Sequence, residues 1–183
     1  MKRKLLILSV LAICLAILAT GTLAYFTKED TAHNVITTGG VEIAVQEWAD
    51  KEKTRPFEDL TGVMPNTTVT KIAEIKNTGA SDAWVRVKVE KNIKLQGEST
   101  PDMSLVELKL NTADWTERDG YYYYTKALKP REVTAPLFTA VTFKADMGNV
   151  YQNATATVAV LAQAVQTANN GATVMDAQGW PKA

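Results

Sequence analysis

Side chains able to make or break bonds are few in this chain and poorly spaced for it. The single histidine, His33, sits in a polar stretch near the amino terminus. Hydrolytic zinc takes two or three nitrogen ligands on rigid elements, and one histidine cannot supply an HExxH helix, so His33 reads as a solvated or contact-lining side chain. The only cysteine, Cys14, falls inside an apolar run, and no GxSxG elbow, phosphate loop or dinucleotide fingerprint is present. Acids do cluster, Glu58 with Asp59 and Asp114 with Glu117 and Asp119. A glycosidase needs such pairs, but beside turn residues acids ordinarily serve as solvated turn groups. The stretch WTERDGYYYYTK places Trp115 and Tyr121 to Tyr124 about an Asp119-Gly120 turn. Such rings stack on sugars or fill a core, and strand alternation lets only two of the four tyrosines face the core together. The expectation is a chain with no catalytic, metal or cofactor site. A surface metalloprotease and a carbohydrate-binding module are the alternatives.

The elements that must position these residues begin with an address. Lys2, Arg3 and Lys4 precede an apolar run from Leu5 to Ala19, and Thr22-Leu23-Ala24 puts small residues where a signal peptidase reads them. This is the build of a secretory signal peptide, an N-terminal hydrophobic helix cut between Ala24 and Tyr25. The alternative, a retained membrane anchor over Leu5 to Phe26, is weakened by Thr20, Gly21 and Thr22, which interrupt the run. The full chain has 20 basic and 20 acidic residues; without residues 1–24 it has 17 basic against 20 acidic. That mild negative balance offers nothing to nucleic acid. The 159 residues left after the leader suit one domain, and without cysteine that domain depends on its core and backbone pairing, as suits a bacterial surface.

Periodicity beyond the leader is that of strands. Val41 to Trp48, Thr68 to Lys76, Trp84 to Glu90, Val106 to Leu110, the two arms of the aromatic hairpin, Leu137 to Lys144 and Asn153 to Gln166 alternate or are β-branched. Within Trp84 to Glu90, the valines at 85, 87 and 89 predict a core face, and Arg86, Lys88 and Glu90 a wet one. Gly39-Gly40 reads as a flexible joint, Thr54 to Asn66 as a loop, Asn77-Thr78-Gly79 as a turn, and Ala168 to Ala183 as loop or frayed end. Seven or eight short strands without a helical period predict an all-β antiparallel β-sandwich over 41–167, preceded by a segment 25–40 and followed by a tail 168–183.

Three stretches together resemble the TasA/camelysin family of exported biofilm-matrix fibre proteins of Gram-positive bacteria. GTLAYFTKEDTAHNVITTGGVEI is similar to its leader end and mature start. MPNTTVTKIAEIKNTGASDAWVRVKVE resembles its proline-led loop, strand, Asn-x-Gly turn and second strand, and NVYQNATATVAVLAQAVQTANN its closing strand. The resemblance implies a jelly-roll-like sandwich and cleavage by a SipW-type signal peptidase. It also implies assembly with other copies or related fibre subunits, at the cell surface or in the extracellular matrix, with membrane contact only through the uncleaved leader. Fibres would form by donor-strand complementation. The matching donor is Tyr25, Phe26, Thr27, Lys28, Glu29, Asp30, Thr31, Ala32, His33 and Asn34, with Phe26 as its apolar plug. The charged run Lys28-Glu29-Asp30 then needs a wet face or partners. The protease activity attached to the camelysin name is not carried over, since no zinc motif matches.

Overall fold

The computed structural model describes residues 35–37, 40–58, 64–95, 100–151 and 154–181. The leader, the cleavage residues Ala24 and Tyr25, the donor segment Tyr25 to Asn34 with His33, and Asp59 lie outside the described residues. Nine strands are described: β1 Val35–Thr37, β2 Ile43–Trp48, β3 Thr67–Asn77, β4 Ala83–Lys94, β5 Val106–Leu110, β6 Trp115–Arg118, β7 Tyr121–Tyr124, β8 Phe138–Phe143 and β9 Thr155–Gln166. The only helical pieces among the described residues are two 3-10 turns, Met103–Leu105 and Asn149–Tyr151. The class is all-β, as periodicity predicts, with more strands than the seven or eight expected.

Two sheets form, one ordered β1-β9-β4-β7-β6 and the other β2-β3-β8-β5. Pairing is antiparallel except where β1 lies parallel on β9. Alternation builds the core. Ile43, Ala73, Ile75, Phe138 and Val141 from the four-stranded sheet share one buried apolar cluster with Val85, Val87, Val160, Ala162 and Ala164 from the other. Removing that surface from water is the main stabilising term, at about 25 cal/mol per Å².

Turn chemistry sets the registers. Asp119 (φ 54) and Gly120 (φ 77) occupy the left-handed region, so the hairpin turns in two residues and pairs Trp115 with Tyr124 and Arg118 with Tyr121. At the β3–β4 turn the amides of Thr78 and Gly79 both donate to the Glu42 carbonyl. A Cβ on Gly79 would lie 2.8 Å from the Glu42 nitrogen, so the close approach requires glycine there.

Two expectations are corrected. The outer face of β4 is not wet at its start, because Trp84 is buried there with Tyr123 and Val165. What covers them is the tail, which is packed, not frayed: Val174 is 2% exposed and Ala177 6%. Trp84 Nε1 donates to the Asn170 carbonyl at 2.9 Å. The Arg86 guanidinium stacks between the rings of Tyr121 (4.0 Å) and Trp180 (4.6 Å), and its Nε donates to Gln163 Oε1 at 2.7 Å. Tyr122 and Tyr124 join the main core and Tyr121 and Tyr123 this second cluster, the two-and-two split that alternation requires.

Candidate functional site: the open side of the five-stranded sheet

The two longest strands, β4 and β9, pair along their whole length, from Ala83 with Gln166 to Lys94 with Thr155. Among the described residues their outer neighbours overlap them briefly: β7 meets β4 at Arg86 and Val87, and β1 meets β9 at Ala162, Gln163 and Ala164. Among the described residues, therefore, Thr155 to Leu161 of β9 and Lys88 to Lys94 of β4 have a strand on one side only. Each such stretch presents backbone N–H and C=O groups that an added strand can pair. The β9 stretch is apolar on its inner side, where Ala156 and Val158 pack against the core and Val160 belongs to it. On its outer side stand Thr155, Thr157, Ala159 and Leu161.

The connection from β1 to β2 spans residues 38–42, so β2 runs back in the opposite sheet and packs against β9. Ile43, Val45 and Glu47 share the inward side of β2 by alternation, and this places a carboxylate inside the sandwich. Its partner is Lys71 of β3: Nζ lies 2.7 Å from Glu47 Oε1, with the side chains 4% and 6% exposed. Phe57 roofs the pair, its ring centroid 3.9 Å from Lys71 Nζ, held there by its own amide donating to the Glu47 carbonyl at 3.0 Å. On the opposite face of β3, with Gln46 and Trp48, Glu74 is also buried; it accepts from Trp48 Nε1 at 3.0 Å and pairs with Lys53. Buried charges persist only when paired, as Glu47 is with Lys71 and Glu74 with Lys53. Parity alone could have flagged Glu47, since it continues the Ile43, Val45 row; Lys71 carries no such signal, because β3 shifts register between Thr70 and Ala73.

On the far side a groove of about 360 Å³ runs between β4 and β5, lined by Val89, Lys91, Val106, Leu108 and Tyr122 among others. Lys91 spans its floor and donates to the carbonyls of Met103 (2.9 Å) and Val106 (2.8 Å).

The residues singled out for chemistry are not brought together. Asp114 accepts from Lys126 Nζ at 2.8 Å and from Asn111 Nδ2 at 3.1 Å, and the hydrogen bond from Lys126 holds its carboxyl below the ordinary value. Glu117 caps the hairpin by accepting from the Gly120 amide at 3.0 Å. These are turn groups. Trp115 is 3% exposed, donates Nε1 to the Ala135 carbonyl at 3.0 Å and lies 5.1 Å from the Tyr124 ring. Trp115 is thus a core ring, the second of the two roles that its residue type allows. Among the described residues no group of three or more His, Cys, Asp or Glu side chains is placed to hold a metal. The predicted cleavage and donor residues, Ala24 to Asn34, lie outside the described residues, ending where β1 begins. Comparison with protein-family models, curated proteins and solved structures finds no match to this chain.

Proposed function

We propose that this protein is an exported structural subunit that polymerises into extracellular fibres by donor-strand complementation, the segment Tyr25 to Asn34 of one subunit completing a sheet of the next. The observation that carries this reading is the one-sided pairing of Thr155 to Leu161 in β9. Among the described residues, these seven consecutive positions have an apolar inner face and a strand on one side only, which suits an incoming strand. The repeated crossing of the chain between the two sheets, from β1 to β2, β3 to β4, β4 to β5, β5 to β6, β7 to β8 and β8 to β9, supports a jelly-roll-like connectivity. The role is structural, without catalysis, cofactor or nucleic-acid partner.

Cleavage between Ala24 and Tyr25 by a SipW-type signal peptidase then acts as the assembly switch. A donor still joined to a membrane helix cannot reach a neighbour, whereas a freed one can, and a head-to-tail exchange of arms does not close on itself. Burial of Phe26 in the acceptor contributes about 1.5 to 3 kcal/mol, to which the backbone pairs add. The test compares chains of residues 25–183 and 35–183 by negative-stain microscopy. Filaments are expected from the longer chain only; identical filaments from the shorter one would refute strand donation by this segment.

A further inference from the structure

One side chain closes the tail into a loop over the second cluster. Asn170 Nδ2 donates to the carbonyls of Gln166 (3.0 Å) and Gln178 (3.1 Å), its Oδ1 accepts from the Gln178 amide at 2.8 Å, and its main-chain carbonyl accepts from Trp84 Nε1 at 2.9 Å. The next residue, Gly171, stands at φ +78, where a Cβ would lie 3.0 Å from the carbonyl carbon of Asp176. The loop thus needs an amide at 170 and a glycine at 171, and together these make the only Asn-Gly dipeptide in the chain. That pair carries its own chemistry. We propose that Asn170-Gly171 is a site of spontaneous deamidation, and that the reaction turns a reversible opening of the tail into a permanent release.

With no Cβ on the following residue, the Gly171 nitrogen can reach the Asn170 Cγ. An N–Cγ bond forms, the Cγ–Nδ2 bond breaks, and Nδ2 leaves as ammonia with the Gly171 amide proton. The cyclic imide that results takes up one water and opens to aspartate or to isoaspartate. Water is the only co-reactant. In the closed loop the Asn170 amide is held to Gln166 and Gln178, and turning Cγ toward Gly171 breaks those three hydrogen bonds. Reaction therefore follows local opening, which an irregular surface segment undergoes more readily than paired strands. Afterwards a carboxylate without N–H faces two carbonyls that had accepted from an amide. Isoaspartate also adds a methylene to the main chain and displaces the carbonyl that Trp84 Nε1 uses. Neither product restores the loop, so Trp84, Tyr123 and Val165 lose the cover of Val174 and Ala177, and Arg86 loses its contact with Trp180.

The chain of residues 25–183 is held at mildly alkaline pH, both folded and in guanidinium chloride, and its digests are followed by mass spectrometry. The peptide containing Asn170 is expected to convert to an aspartate and isoaspartate pair in both samples, at least about tenfold more slowly in the folded one. Equal rates would show that the loop does not guard Asn170, and an unconverted peptide in the folded chain after the denatured one has reacted fully and the folded sample has been kept for many times as long would overturn the site. The folded, modified chain is then separated by ion exchange, and amide hydrogen exchange is compared over residues 170–181. Exchange at least about tenfold faster than in the unmodified chain is expected there, with β4 and β9 unchanged. A tail as protected after modification as before would overturn the release. The Asn170→Asp variant, made directly, is expected to show the same faster exchange, and full protection of its tail would count equally against the proposal.

Discussion

Asn77, fully buried at the end of β3, ties together parts of the chain far apart in sequence. Its Nδ2 donates to the carbonyls of Ser81 (2.8 Å) and Leu128 (2.9 Å), and its Oδ1 accepts from the Gly79 amide at 3.0 Å. Its own amide donates to the Glu132 carbonyl, and its carbonyl accepts from the Arg131 amide. The side chain thus meets two acceptors and one donor, a pattern that an amide satisfies and a carboxylate does not. Asn77→Asp is expected to cost about 3 kcal/mol, because an acceptor would face two carbonyls in the interior, and Asn77→Ala roughly 2 kcal/mol. Urea unfolding of the two variants checks the order; equal losses would show that only side-chain volume matters at this site. The Asn-x-Gly turn is legible in the sequence, but the loop around Leu128 that its first residue holds is not.

At the scale of elements, the tail is the part that periodicity misjudges most. Asn169, Asn170, Gly171, Gly179 and Pro181 read as irregular, and they are irregular. Irregular backbone can still be fastened. Asn170 Nδ2 donates to the carbonyls of Gln166 and Gln178 while its Oδ1 accepts from the Gln178 amide, and Trp180 Nε1 donates to the Ala177 carbonyl. Ending the chain after Thr167 uncovers Trp84, Tyr123 and Val165 and frees Arg86 from its stack against Trp180. The expected loss is on the order of 3 to 5 kcal/mol, with a red-shifted Trp84 emission and an unchanged far-UV strand signal. A truncated chain as stable as the full one would mean that the second cluster contributes nothing. The hairpin shows the reverse case. Asp119-Gly120 demands one turn geometry whatever its surroundings, so the pairing of Trp115 with Tyr124 follows from local chemistry alone.

For the whole molecule, pH dependence follows from charges at its surface. Hydrogen bonds depress the carboxyls of Asp50 (first from the Thr54 amide), Asp102 (from Ser104) and Asp114 (from Lys126) below the ordinary 3.8. A depressed acid stabilises the fold above its ordinary value, and that contribution is lost as pH falls through the folded-state value. Lys88, beside Glu90, and Lys126, beside Asp114, are raised above the ordinary 10.5, so their contribution is present below that value and lost as pH rises past it. The melting temperature is expected to be nearly level between about pH 5 and 9, with a decline below about 4 and again above about 10.5. All five groups lie at the surface, Asp102 and Lys126 exposed and Asp50, Lys88 and Asp114 half-buried, so solvent and salt screening keep each end of the profile shallow. A steep fall between pH 7 and 5, measured by scanning calorimetry, would point to a buried group instead.

Alternation of valine, threonine and tyrosine, glycine at the turns and the absence of a helical period beyond the leader determined by themselves that the described part of this chain is all-β, where most of its strands lie and that only two of the four tyrosines face the main core. These are local properties, set by backbone sterics and side-chain parity within a few residues. The tertiary structure alone decided what depends on distant neighbours. It placed Trp115 inside and not on the surface, laid the tail over Trp84, buried Glu47 against Lys71, and set β1 parallel beside β9. Strand period says which residues share a face, but not which strands will lie side by side, because that depends on partners a hundred residues away.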